Sequence, residues 1–207
     1  MIDLVSQLTA VHRDVVEREV GGEKGIGVVL RREYDAPIED VWEAVTDPDR
    51  LRRWFLPVSG DLRVGGTFQL EGNAGGEILQ CEPPRLLRVS WGGPTSLVDL
   101  KLSAGEAGGT TVELAHTVPL DIAGSGAGGL YVGPGWDTTL LGLAGFLRGE
   151  VVEDPAAWDR SPEVQTYLAG TIDAWAAAIQ ASGTASAEEI AGGVAAARAQ
   201  FTPGTID

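Results

Sequence analysis

The chain has 207 residues, with 15 basic and 30 acidic side chains and a formal charge of −15. A chain of that size buries roughly 70% of its extended surface and forms a core without disulfides or metal, while its acidic surface repels phosphate backbones and anionic lipid, which disfavours nucleic-acid and membrane partners. The lone Cys81 cannot form an internal bridge, no apolar run approaches the roughly 20 residues of a membrane span, and the N-terminal residues lack the basic, apolar and small-residue blocks of a secretory signal, so the expected location is the cytoplasm.

Residues 1–20 place Ile2, Val5, Leu8, Val15 and Val16 at roughly helical spacing, which predicts a helical extension over residues 1–24 closed by Gly21-Gly22. A strand follows over about Ile26 to Tyr34, with Ile26, Val28, Leu30, Arg32 and Tyr34 on one face. Two short helices come next. The first has Pro37 in its opening turn and an apolar stripe of Ile38, Val41, Trp42 and Val45. The second has Asp47 as its cap, Pro48 next, and Leu51, Trp54 and Phe55 to bury.

From Ser59 the period changes to two. Phe68 and Leu70 share a face, as do Leu87, Val89 and Trp91, then Val98, Leu100 and Leu102, then Val112, Leu114 and His116. Glycine pairs and Pro83-Pro84 separate the runs, and the clean alternation predicts antiparallel pairing with one wet face. Residues 120–135 read as a flexible loop. An apolar helix from about Trp136 to Arg148 carries Trp136, Leu140, Leu143 and Leu147 on one stripe, with Gly142 and Gly145 inside it. Those two glycines fit either close packing or room for a guest. Asp154-Pro155 opens a further segment, Ser161-Pro162 starts a helix through Ile179, and Ser186 with Glu189 signs a capping box for a last helix to Phe201. The order is that of an α+β domain over residues 25–150, a curved antiparallel sheet closed over a long helix. Helices in residues 151–207 pack on it, over the cavity mouth or as a dimer interface.

The segments DAPIEDVWEAVTDPDRLRRWF, DLRVGGTF, CEPPRLLRVSW, GGTTVELAHTV and GPGWDTTLLGL, in that order, resemble the branch of the helix-grip (START-like, SRPBCC) superfamily named after the heat-shock-protein ATPase activator homologues. The resemblance covers about residues 28–148, and the flanks look like the extended bacterial versions of this branch. It implies the helix-grip fold and a cavity between sheet and long helix. It implies no single activity, because the superfamily includes lipid carriers, hormone receptors, aromatase/cyclases and co-chaperones.

Within that frame, Trp54, Phe68, Trp91, Trp136, Leu140 and Leu143 are expected to line the cavity, with Arg32 and His116 as its polar contacts. Each has a structural reading beside the functional one: aromatics fill cores, an inward arginine is commonly ion-paired, and an inward histidine is commonly a hydrogen-bonded core residue. The motif Gly124-Ser125-Gly126-Ala127-Gly128-Gly129 satisfies G-x-G-x-x-G, but no helix opens at its third glycine; a mobile loop near the cavity mouth is expected there, not a dinucleotide site. No metal-ligand spacing and no G-x-S-x-G elbow occur, and no cofactor is expected. The sequence thus favours a binder of a small apolar or amphipathic molecule. The alternatives are a co-chaperone-like interaction module, using the outer sheet face or Arg50, Arg52 and Arg53, and a cyclase- or hydrolase-type enzyme using His116.

Overall fold

The structure, a computed structural model, describes residues 3–150, 158 and 160–203. Asp154-Pro155 and Ile2 lie outside the described residues. Eight strands form one antiparallel sheet: β1 (Val11–Val20), β2 (Glu23–Tyr34), β3 (Val58–Gly60), β4 (Thr67–Leu70), β5 (Gly75–Glu82), β6 (Leu86–Ser90), β7 (Leu97–Ala104) and β8 (Thr110–Pro119). Their order is β1-β2-β8-β7-β6-β5-β4-β3. Its inner face follows the alternation read from the sequence. Val28, His116, Val98, Val89 and Ile78 stand opposite one another across five strands, and Leu30, Leu114, Leu100 and Leu87 form the next row.

α1 (Leu4–Thr9) precedes β1; α2 (Ile38–Thr46) and α3 (Pro48–Trp54) connect β2 to β3. α4 (Leu120–Ala123), a 3₁₀ segment (Gly126–Tyr131) and α5 (Gly133–Leu147) follow β8; α6 (Pro162–Ser182) and α7 (Ala187–Phe201) complete the described chain. α5 lies across the inner face of the sheet and buries Trp136, Leu140 and Leu143. This is the curved sheet and long helix of the helix-grip fold. Asp47 caps α3 by accepting from the amides of Asp49 and Arg50, and Ser186 and Glu189 close the capping box of α7.

Three expectations need correction. Residues 11–20 are not helical: they form edge strand β1, with Val11 and Val15 buried and Gly21 and Gly22 both at positive φ in a two-residue hairpin turn. The β-branched valines suit a pleated strand, and the inward Arg13 between Val11 and Val15 disguises the alternation. Residues 120–135 are largely helical rather than loop, because Ala127, Gly129 and Leu130 are buried where α7 packs over the 3₁₀ segment. Gly193 of α7 comes so close to Leu130 that a Cβ would sit 2.8 Å from its side chain. The G-x-G-x-x-G run therefore lies under the C-terminal helices, away from any cavity mouth, and α5 begins only at Gly133.

Candidate functional site

A gap lies between α2, α3 and the β3–β6 end of the sheet, where β5 carries a bulge between Ile78 and Gln80. The gap is an apolar cleft of about 440 Å³, floored by β4, β5 and β6 through Phe68, Ile78, Leu87 and Val89 and roofed by Leu51 and Phe55. The exposed Leu62 and Val64 stand at its outer rim. A second chamber of about 110 Å³ continues inward between α3, α5 and the central strands, lined by Trp54, Trp136, Leu140 and Leu143. Trp91, Val89 and Phe55 belong to both walls, so the two spaces are neighbours.

Few polar groups face this space. The Thr46 hydroxyl donates to the Trp42 carbonyl at 2.7 Å, and Arg63 at the rim is paired with Asp61 at 2.8 Å. Burial pushes the Cys81 thiol up, away from the reactive thiolate. Aromatic rings run along the path inward: Phe68 and Trp91 are 6.0 Å apart, and Trp91 and Trp136 are 5.0 Å apart in tilted contact. Trp54 Nε1 donates to the Ala44 carbonyl at 2.9 Å, which pins α3 to α2. Such a space is lined for apolar contact and offers little directional hydrogen bonding.

Of the eight residues expected at the cavity, six line it: Phe68 and Trp91 the outer cleft, and Trp54, Trp91, Trp136, Leu140 and Leu143 the inner chamber. Arg32 and His116 are buried as expected but line neither space. Arg32 lies toward the β1 edge, where its Nη2 donates to Gln7 Oε1. His116 lies behind Trp136, whose Nε1 donates to His116 Nδ1 at 3.1 Å; the ring's Nε2 is 2.8 Å from Ser96 Oγ.

That geometry settles the tautomer. An indole N–H can only donate, so Nδ1 accepts and the proton sits on Nε2, which donates to Ser96. A hydrolytic dyad requires the reverse, with Nε2 bare to take the serine's proton. Burial holds His116 down at about 4, so this neutral form persists well below neutrality. The hydroxyl of Ser96 is a partner the sequence did not reveal, since it approaches across strands from 20 positions away.

Gly142 faces α3: a Cβ there would meet Trp54 at 3.5–3.6 Å, which is ordinary contact with a helix, not room for a guest. Arg50 is paired with Glu43, Arg52 with Asp49 at 3.4 Å, and Arg53 lies over the Phe146 ring at 5.2 Å. The helical arginine group is thus engaged within its own neighbourhood. The described residues of the C-terminal helices line neither cavity, which speaks against one of the two readings left open, a cover over the cavity mouth; they pack on α5, β1 and the 3₁₀ segment.

Comparison with known proteins agrees with this architecture. The sequence profile of the family described as Activator of Hsp90 ATPase homolog 1-like protein matches residues 35–148, from the end of β2 to the end of α5. The chain belongs to that family. CalU16 from Micromonospora echinospora is 40% identical; its crystal structure superposes with a TM-score of 0.69, covering 82% of this chain and 98% of that one. The solution structure of CalU16 gives a TM-score of 0.71. DynU16, a protein in the dynemicin biosynthetic locus, is 26% identical with a TM-score of 0.51, covering 62% of this chain and 50% of its own. A comparison with curated proteins gives no match. Among the described residues no helix is long and apolar enough to cross a membrane, and no cluster of His, Cys, Asp or Glu could hold a metal ion.

Proposed function

We propose that this family member holds a small apolar or amphipathic molecule in the outer cleft, with one apolar end in the inner chamber. The observation that carries the reading is the cleft itself: about 440 Å³ of apolar space continuing into a further 110 Å³ beside three tryptophans. Volumes of this order suit a small organic ligand. Phe68 and Trp91 serve the outer part; Trp54, Trp136, Leu140 and Leu143 serve the inner part. Arg32 and His116 take no role in binding. The residues that line the two spaces run from Val45 of α2 to Leu143 of α5. DynU16 belongs to a biosynthetic locus, that of dynemicin, which favours a small-molecule ligand over the co-chaperone-like alternative. That alternative rests on the family's description and on the outer sheet face, since Arg50 and Arg52 are ion-paired and Arg53 lies over the Phe146 ring.

The test is titration with an amphipathic fluorophore such as anilinonaphthalene sulfonate, against wild type and Val89→Trp. Val89 faces both spaces, and an indole there fills part of their junction. We expect at least about a tenfold loss of probe affinity, equivalent to about 1.4 kcal/mol, in a variant that still melts cooperatively and loses at most about 1–3 kcal/mol of stability to overpacking. Equal affinity in both proteins would reject the cleft as the site.

A further inference from the structure

Away from both cavities, a buried polar cluster sits where β1, β2, α5 and α6 meet. Asp137 of α5 is fully buried, and Arg13 of β1 grips it, donating from Nη2 at 2.7 Å and from Nε at 3.1–3.2 Å. The Trp175 indole of α6 donates to the same carboxylate at 2.7 Å. One buried anion therefore answers one buried cation.

A second guanidinium shares the cluster. Arg32 is only 5% exposed, and its charge acts on Asp137, Tyr34 and Tyr167. It lies over the Tyr34 ring at 5.3 Å, and its one hydrogen-bond partner, Gln7, is neutral. Among the described residues Arg32 Nε and Nη1 have no acceptor, and the buried Tyr167 hydroxyl, beside the Arg13 guanidinium, has no acceptor for its own proton. Among the described residues Arg13 and Arg32 contribute two positive charges to the cluster and Asp137 one negative, an excess of one. A buried guanidinium with two idle N–H groups that shares its only counter-charge with a second guanidinium is strongly disfavoured unless something completes it.

We propose that Arg32 Nε and Nη1, with Tyr167 Oη, hold one small monovalent anion of halide or formate size. It neutralises the cluster and fastens β2 to α6 beside the Gln7 contact of the N-terminal segment. The occupant is small, because Arg32 and Tyr167 sit among buried side chains, and it is not the guest of the cleft, because neither cavity touches them. A water molecule would satisfy the idle donors but leave the excess charge, so the rival is neutral hydration. This inference is independent of what the outer cleft holds.

The experiment is thermal unfolding of the full chain in sodium chloride, sodium formate and sodium gluconate at matched ionic strength. Chloride or formate should raise the midpoint along a saturating single-site curve, while the bulky gluconate should not; whichever saturates at lower concentration identifies the better-fitting class. Tyr167→Phe removes one of three donors and should shift half-saturation about tenfold upward, the ordinary consequence of one lost hydrogen bond to a charged group. Arg32→Met should abolish the response. Should that variant fail to fold, Tyr167→Phe and a crystal grown in bromide decide, with an anomalous peak expected within hydrogen-bond reach of Arg32 Nε and Nη1. Identical midpoints in all three salts, an unshifted curve in Tyr167→Phe, or no bromide peak at Arg32 would overturn the proposal.

Discussion

His116 shows how one side chain links burial, tautomer and stability. Its folded form titrates near 4 because burial disfavours the imidazolium, against an ordinary value of 6.5. Between those two pH values the unfolded chain takes up a proton that the folded chain refuses, so stability falls as pH drops through the window and is fully retained above about 6.5. The expected loss attributable to this residue is about 3 kcal/mol across the window. In His116→Gln, the amide can still accept from Trp136 and donate to Ser96, and that portion of the acid sensitivity should vanish. Denaturant midpoints at pH 7 and 4.5, compared between the two proteins, give the answer; equal sensitivity in both would show that the ring is hydrated. Gly142 supplies a second case at this scale. A methyl there meets Trp54 at ordinary distance and the position is helical, so Gly142→Ala should stabilise by up to about 1 kcal/mol. Gly133→Ala should do the opposite, because its Cβ would lie 2.4 Å from the fixed Trp175 ring; at least about 2 kcal/mol is expected, as for other overpacked sites. Thermal melts of the two variants should move in opposite directions.

At the scale of elements, β1 is tied to α5 through Arg13 and Asp137 rather than merely added to the sheet edge. Burial pushes the Asp137 carboxyl up, while the Arg13 guanidinium and the Trp175 indole oppose it, and a carboxylate gripped through two guanidinium nitrogens fits the ionised form. Arg13→Met should therefore cost about 3–5 kcal/mol by leaving a buried charge unpaired. The double variant Arg13→Met with Asp137→Leu should recover a large part of it, as read from denaturant midpoints. No recovery would mean that packing, not charge, sets the cost. The meander β4 to β8 was legible in the sequence because apolar residues recur at period two between glycine and proline breaks, and α3 and α7 because their caps are local signals. β1 was not, since Val5, Leu8, Val15 and Val16 fit a helical spacing and the inward Arg13 removes an apolar position from the alternation. The 3₁₀ segment was hidden for another reason: its glycines and alanine are buried by α7, some 60 residues later, and nothing local announces that cover.

Across the whole molecule, the parity of the strands correctly turned Arg32 and His116 inward, yet the hollow lies elsewhere. Inwardness is a property of each strand, whereas the position of the space depends on how far α2 and α3 diverge from the curved end of the sheet. Trp54, Trp91, Trp136, Leu140 and Leu143 face that divergence; Arg32 faces α1, α5 and α6, toward the β1 edge. The same fold thus keeps its polar cluster and its apolar space at different places, and the space has little in its lining to fix a polar ligand. Native mass spectrometry of the protein purified from its own host, alongside Val89→Trp prepared identically, tests this most directly. The account predicts a small molecule of constant mass retained by the wild type and lost from the variant. Repeated purification of the wild type without such a mass, or its undiminished retention by Val89→Trp, would contradict it.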